Sequence, residues 1–133
     1  MLETEYSNQI DDLLAKLSCD VQIPSEWGDF FARQGMLPSI EGDRRRFARK
    51  HMPGTAVLEI TTTIPSIDRQ QLVHAVYTRD ISRGGVSFLH VAQLYPGEAG
   101  RLWLPDRRWL FEVVRCRRVN SQCYVVGATL PED

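Results

Sequence analysis

The segment RWLFEVVRCRRVNSQCYVVGATL, residues 108–130, contains two runs rich in β-branched and aromatic residues, separated by the polar pair Asn120-Ser121. Two such runs joined by a two-residue turn are typical of a β-hairpin. Runs of similar composition, again bounded by turn residues, occupy residues 55–64, 70–80, 85–91 and 100–105. Six short strands at regular spacing predict a mainly β domain, built as a small antiparallel barrel or sandwich.

The first forty residues follow a different pattern. Apolar residues recur there at spacings of three and four, which predicts one helix with a single apolar face: Tyr6, Ile10, Leu13, Leu14 and Leu17. A second short helix is predicted over 25–35, with Ser25 as its cap and Gly35 at its end. We therefore expect a helical extension over 1–40 and the β domain over 41–133. The helices would pack on that domain or on a second copy, which would form a homodimer.

Overall charge argues against a protein that binds nucleic acid polymers. The 133 residues include 16 Lys and Arg against 17 Asp and Glu, and the formal net charge is -1. A general nucleic-acid binder is usually strongly basic. The positive charge is concentrated in GDRRRFARK, residues 42–50, just before the first long strand. This local cluster favours a small anionic partner that binds at one place.

Cysteine content and hydropathy indicate a cytoplasmic protein. Three cysteines without a CxxC pair do not suggest a disulfide framework or a metal site, so reduced thiols are expected. No apolar run has the length of a membrane span, and the N-terminal MLETEYSNQ is too polar for a secretion signal. No cofactor or metal is predicted.

Two short motifs carry the chemistry. Residues 45–49, RRFAR, have the form RxxxR, and residues 80–85, DISRGG, have the form DxSxxG at a strand–turn–strand junction. Taken separately, the first also describes a solvated surface run and the second a polar turn. Asp80, Ser82 and His74 could be arranged as a hydrolase triad, but nothing resembling a nucleophile elbow surrounds Ser82. An enzyme is therefore not predicted.

Together and in this order, DRRRFARK and RDISRGGVSF resemble the motifs of the PilZ domain, a bacterial receptor module for the second messenger cyclic di-GMP. The resemblance extends from about residue 42 to residue 130, and Gly127 resembles a glycine often found in the last strand of the family. It implies a six-stranded antiparallel β-barrel with RxxxR on a loop before the first strand. It also implies a cytoplasmic effector that signals to a protein partner by conformational change, in processes such as motility or biofilm formation.

The resemblance also implies which residues bind the nucleotide: Arg44, Arg45, Arg49, Asp80, Ser82 and Gly85, with Arg46, Lys50, Arg83 and Gly84 as accessory residues. A guanidinium presents a planar fork of donors that matches a phosphate or the O6/N7 edge of guanine. A carboxylate can accept both N1–H and N2–H of guanine, which gives Asp80 a role in base recognition. Gly85 leaves space where a Cβ would obstruct the approach of the ligand.

Two further expectations rest on the same resemblance. In this family, an arginine directly before RxxxR is similar to that of members that bind a stacked pair of nucleotides. Arg44 therefore suggests an intercalated cyclic di-GMP dimer. Many members also carry a C-terminal helix against the barrel, whereas Pro131 directly follows the last predicted strand here. We expect the N-terminal helices or another subunit to cover that end.

Two other functions remain open at this stage. A degenerate PilZ-like adaptor of pilus or motility assembly would bind proteins and no nucleotide, and would not need both motifs intact. A small RNA- or DNA-binding barrel would use the arginine run together with exposed stacking aromatics, which the net charge of -1 disfavours.

Overall fold

The computed structural model describes residues 3–32, 35–36 and 49–131, with side chains from residue 9 onward except at 35–36. Helix α1 spans Glu3–Lys16, and a short 3-10 helix spans Ser25–Trp27. The strands are β1 (Gly35–Met36), β2 (Lys50–Thr62), β3 (Val73–Ser82), β4 (Gly85–His90), β5 (Ala99–Leu104), β6 (Arg107–Asn120) and β7 (Cys123–Thr129).

Six of the described strands form a closed antiparallel ring. Their order is β2-β3-β4-β7-β6-β5, and pairing between β2 and β5 closes the ring, while the two-residue β1 adds to the start of β2. The predicted mainly β fold with six antiparallel strands is confirmed. At the closing seam a Cβ on Gly100 would overlap the Glu59 carbonyl oxygen, so β2 and β5 approach this closely only because residue 100 is glycine.

Alternate residues of each strand point into the ring and form its core. Leu58, Phe88, Leu102 and Val126 are fully buried there, and Phe88 packs edge-to-face on Phe111 with ring centroids 5.4 Å apart. Burial of each such side chain contributes about 1.5–3 kcal/mol. The core therefore fixes which strand faces turn outward, and the functional groups described below lie on that outward side.

The connection between β4 and β5 carries the chain past β7 and β6 and contributes to the core. Leu94, in this connection, is buried with the core side chains. Glu98 is 1% exposed, and its carboxylate accepts four hydrogen bonds: from Thr63 Oγ1, Arg69 Nε, Arg69 Nη2 and the Tyr95 amide. This ion pair fixes the connection to the loop between β2 and β3.

The N-terminal segment covers part of the outer surface. Val21 packs with Leu89, Cys123 and Val125, which face outward from β4 and β7. The Gln22 amide donates to the Gln122 carbonyl at 3.0 Å, and its own carbonyl accepts from Asn120 Nδ2 at 2.9 Å. Helix α1 contacts β2 and β5. None of the helices in the described residues has the length and apolar character that a bilayer-spanning helix requires.

Several local predictions differ from the structure. Of the helix predicted over 25–35, the described residues form only the 3-10 turn at Ser25–Trp27, with Pro24 rather than Ser25 at the cap position. The aromatic residues there pack on the barrel instead of defining one helical face; the Phe31 ring, for example, lies 5.0 Å from that of Tyr77. Leu13 is exposed although the periodicity predicts burial.

Strand boundaries also move by several residues. Strand β2 begins at Lys50, five residues before the predicted start, and its register shifts between His51 and Gly54, which accommodates Pro53. The β6–β7 turn lies one residue later than predicted, because Asn120 pairs with Cys123 and its Oδ1 accepts from the Gln122 amide.

Candidate functional site

The DxSxxG motif forms the hairpin between β3 and β4. Ser82 pairs with Gly85 across the two-residue turn, and its hydroxyl makes only a long contact of 3.5 Å with the Gly85 carbonyl. A Cβ on Gly85 would lie 3.1 Å from the Ala128 carbonyl oxygen on the neighbouring strand β7. Glycine at this position therefore lets the hairpin and β7 lie close together, and it leaves the motif side chains at the surface of the ring.

A β-bulge turns the motif outward. The β3–β4 register shifts between Thr78 and Asp80, which leaves Arg79 as the extra residue. In a regular strand residues 78 and 80 would share a face, yet Thr78 pairs with the core residue Phe88 whereas Asp80 pairs with Ser87. The bulge therefore removes Asp80 from the core side and places Arg79 and Asp80 beside the same cavity.

Asp80 belongs to a row of paired residues that crosses five strands. The row runs from β2 to β6 through the following residues: His51, Asp80, Ser87, Gly127 and Arg115. A second register shift, between Val113 and Arg115, directs Arg115 outward while Val113 stays in the core. The small residues at 87 and 127 form a floor between the larger side chains.

The last four residues of this row, from Asp80 to Arg115, line with their neighbours a cavity of about 520 Å³, within the size range of small-molecule sites. Four arginines and one carboxylate line it, and the lining therefore has a formal charge of +3: Arg49, Arg79, Arg115, Arg117 and Asp80. The whole chain, in contrast, carries -1. Such a concentration of positive charge favours a ligand with more than one negative charge.

Asp80 is buried beside cations but lacks hydrogen bonds. Its side chain is 3% exposed, with Arg49 Nη1 and Arg79 Nη1 at 3.8 Å and 3.6 Å from Oδ2 and His51 Nδ1 at 3.0 Å from Oδ1. Neither carboxylate oxygen accepts a hydrogen bond from the described residues, and the Ser87 hydroxyl also lacks a partner there. A buried acceptor without donors costs about 1–3 kcal/mol or more, which a ligand that supplies donors would recover.

A smaller cavity of about 60 Å³ adjoins this site on the side of the N-terminal segment, and Trp27, Phe30, His51 and Arg79 are among the residues that line it. The Arg79 guanidinium lies 5.6 Å from the centre of the Trp27 ring, within the range of a cation–π contact. Arg79 thus contacts Asp80 on one side and the N-terminal segment on the other.

The structure brings together some of the predicted site residues. Arg49, Asp80, Ser82, Gly84 and Gly85 all line the large cavity. Lys50, at the exposed start of β2, and Arg83, exposed in the hairpin turn, do not line it. Arg44, Arg45 and Arg46 lie outside the described residues, and their role stays a prediction.

Most of the other lining residues were not predicted as site residues, and those with charged or hydroxyl groups include Arg79, Ser87, Arg115 and Arg117. Arg115 and Arg117 stand two apart on β6, and this spacing puts both on one face of a strand. This spacing can be read from the sequence, whereas no residue pattern in the sequence predicts the bulge that brings Arg79 to the cavity.

The rejected hydrolase triad is not assembled. His74 does not line the cavity of Asp80 and Ser82; its ring packs edge-to-face on that of His90, with centroids 4.7 Å apart. Among the residues that the structure describes, no group of His, Cys, Asp and Glu side chains is placed to hold a metal ion.

Comparison with known proteins gives one result that bears on this site. A family model described as PilZ domain matches residues 43–130, which include the arginine cluster, the motif hairpin and the last strand. Searches of curated proteins and of solved structures gave no match.

Proposed function

The chain belongs to the PilZ domain family, and we propose that it is a bacterial receptor for cyclic di-GMP that acts by binding rather than by catalysis. The observation that carries the proposal is the buried Asp80 carboxylate, which has cations within 4 Å but accepts no hydrogen bond from the described residues, and which stands in a cavity whose lining carries +3. The ligand would have to supply donors to a carboxylate and negative charge to arginines.

Cyclic di-GMP meets both requirements. Each guanine presents N1–H and N2–H side by side, and a carboxylate accepts both, which is the role proposed for Asp80. The two phosphodiesters carry the negative charge, and the guanidinium groups of Arg49 and the RxxxR arginines would donate to their oxygens. These charge-assisted bonds strengthen as water leaves the cavity. The hydroxyl groups of Ser82 and Ser87 can donate to the ligand or accept from it.

A direct test is calorimetric titration of the purified protein with cyclic di-GMP. Wild type should bind, whereas Arg45→Ala and Asp80→Ala should each weaken binding by at least tenfold. Arg118→Ala is the matched control, because Arg118 is an exposed arginine of β6 that does not line the cavity; it should bind like wild type. A wild type that releases no heat with the nucleotide would favour the adaptor without nucleotide binding. A nucleic-acid binder would respond to the Arg45 variant and tolerate the Asp80 variant.

We further propose that two nucleotides bind each chain as an intercalated pair. Arg44 precedes the RxxxR motif and could stack on, or donate to, a guanine of the second molecule. Native mass spectrometry should show two nucleotides per chain in wild type and fewer in Arg44→Ala. A single nucleotide on the wild-type chain at saturation would exclude the pair.

The proposed output is a change in how the N-terminal segment packs on the barrel, which a protein partner would detect. Arg79 supports this because it lies 3.6 Å from Asp80 and also contacts the Trp27 ring. A guanine that binds Asp80 would compete with Arg79 for the carboxylate oxygens. The resulting movement of Arg79 would alter its contact with Trp27 and shift the population of N-terminal arrangements. A homodimer through the N-terminal helices stays a second proposal for this surface.

A further inference from the structure

Strand β6 contributes a feature of the cavity that neither the RxxxR nor the DxSxxG motif includes. Arg115 and Arg117 face the cavity from β6, on the opposite side from Asp80 on β3. Three strand-to-strand steps separate Asp80 from Arg115 in the paired row. At about 4.8 Å per step, the path along the sheet between them is roughly 14 Å, and the curvature of the closed ring makes the direct distance between their backbones shorter. The two ends of the cavity can therefore contact different parts of one extended ligand.

Gly127 makes room for the Arg115 side chain. A Cβ built on Gly127 would lie 2.9 Å from Arg115 Nε and 3.0 Å from its Cγ, both too close for non-bonded atoms. The Arg115 side chain therefore lies across residue 127, along the cavity floor, in space that only glycine leaves open. A larger residue at 127 would require the flexible Arg115 side chain to shift away from this position.

The charges around Arg115 indicate the chemistry of its partner. Neither Arg115 nor Arg117 forms an ion pair with a carboxylate among the described residues. Like charges at positions two apart on one strand face repel each other, and an anion between or above them relieves the repulsion. A phosphate matches a guanidinium with two parallel hydrogen bonds.

We propose that Arg115 is a ligand-binding residue that holds a phosphate of the nucleotide, with Gly127 as the residue that positions it. This inference rests on the proposed cyclic di-GMP function and extends the site by one strand. Arg115 would stabilise a phosphate, a part of the ligand that Asp80 does not contact. Gly127 would affect binding only through Arg115, since it contributes no side chain of its own.

The experiment is a calorimetric titration with cyclic di-GMP of four variants and wild type. Arg115→Ala should weaken binding about tenfold or more, the range of a lost charge-assisted hydrogen bond, and Arg115→Lys should recover only part of the loss because lysine lacks the fork. Gly127→Ala should weaken binding by less than Arg115→Ala, because the displaced arginine keeps its charge near the cavity. The double variant should bind no more weakly than Arg115→Ala alone, because both changes remove the same contact.

Two readouts separate a phosphate contact from a structural role. The affinity of wild type should fall more steeply with salt concentration than that of Arg115→Ala, whereas lost packing would not change this slope. If Gly127→Ala also lowers the melting temperature, the double variant should restore it, since the crowded side chain is gone. Arg118→Ala should match wild type in both measurements.

The possible failures are distinguishable. If wild type binds, Asp80→Ala does not, and Arg115→Ala binds like wild type, then this inference is wrong and the receptor function stands. The same holds if the Gly127→Ala and Arg115→Ala losses are additive. If wild type itself does not bind cyclic di-GMP, the proposed function fails and this inference fails with it.

Discussion

Two buried carboxylates of this domain, Glu98 and Asp80, differ in the hydrogen bonds that they accept. Glu98 is 1% exposed and Asp80 is 3% exposed. Glu98 accepts hydrogen bonds from Arg69, Thr63 and the Tyr95 amide. Asp80 has three cationic or ionisable side chains within 4 Å and no hydrogen bond from the described residues. Glu98 is fully hydrogen-bonded within the fold, whereas Asp80 accepts no hydrogen bond from the described residues.

The difference between Glu98 and Asp80 separates a buried carboxylate that stabilises the fold from one that is proposed to bind a ligand. A satisfied buried ion pair holds two loops in place, and removing one partner leaves the other charge buried without compensation. A buried carboxylate that accepts no hydrogen bond costs the protein stability, and the proposed ligand would supply the missing donors. Such sites are expected to lose little stability, or to gain some, when the acid is neutralised.

The largest effect should follow from removing the satisfied acid. Glu98→Ala leaves Arg69 without its carboxylate partner, and we expect the free energy of unfolding to fall by roughly 3–5 kcal/mol. Urea denaturation would measure it. Glu59→Ala is the control, since that carboxylate also binds an arginine and the Trp103 indole but is 34% exposed; it should cost about 1 kcal/mol or less. Equal losses in the two variants would contradict the comparison.

Neutralising Asp80 should weaken ligand binding and change the stability of the protein very little, the opposite of what is expected for Glu98. Asp80→Asn keeps the shape but exchanges one acceptor oxygen for a donor, which would oppose the guanine donors. We expect affinity for cyclic di-GMP to fall about 100-fold, or about 2.7 kcal/mol. The unfolding free energy without ligand should stay within about 1 kcal/mol of wild type. A variant that binds normally but unfolds easily would assign Asp80 the structural role of Glu98.

Acid should destabilise the folded protein through His90. Burial, with the nearby charges of His74 and Arg69, lowers the pKa of His90 to about 3 from its ordinary value of 6.5. The unfolded chain therefore binds a proton between these values that the folded chain does not, and stability falls as the pH drops below 6.5, by up to about 1.4 kcal/mol per pH unit. Denaturation of wild type and His90→Leu between pH 7 and pH 5 would check this; the variant should show a shallower slope.

Glu98 adds to this dependence at lower pH. Although its burial acts in the opposite direction, hydrogen bonds from Arg69 and Thr63 lower the pKa of Glu98 below its usual value. The stabilisation that ionised Glu98 contributes is therefore present above pH 4.5 and lost as the pH falls through the lowered value.

For the His90 prediction, equal slopes of stability against pH for wild type and His90→Leu above pH 5 would show that His90 is not the group that titrates.

The smallest expected effect concerns the link between the ligand cavity and the N-terminal segment. Hydrogen exchange over residues 1–40 should change when cyclic di-GMP is added to wild type. Trp27→Ala, which removes the ring beneath Arg79, should reduce that change while altering affinity by less than about tenfold. Trp103→Ala serves as a control that removes a tryptophan facing Arg108 instead. Identical protection with and without nucleotide in wild type would contradict the proposed output.

The sequence predicts the fold and part of the cavity well, for identifiable reasons. Period-two runs and turn residues mark six strands, and the two motifs mark Asp80, Ser82 and Gly85, which do meet at one cavity. Strand alternation cannot reveal a register shift, because the shift depends on partners distant in sequence. Arg79, the extra residue of such a shift, was consequently missed, whereas Arg115 was missed although its spacing from Arg117 placed both on one strand face. The hydrogen bonds to Glu98 could not be predicted either, because Thr63 and Arg69 donate them from a loop that is distant in sequence.

The distribution of charge has a kinetic consequence. The whole chain carries -1 and the cavity lining carries +3, so the rest of the protein carries -4. A small dianion approaching the arginines experiences an attractive local field, which raises its rate of association at low ionic strength. Association of cyclic di-GMP, the proposed ligand, should therefore slow as the ionic strength rises.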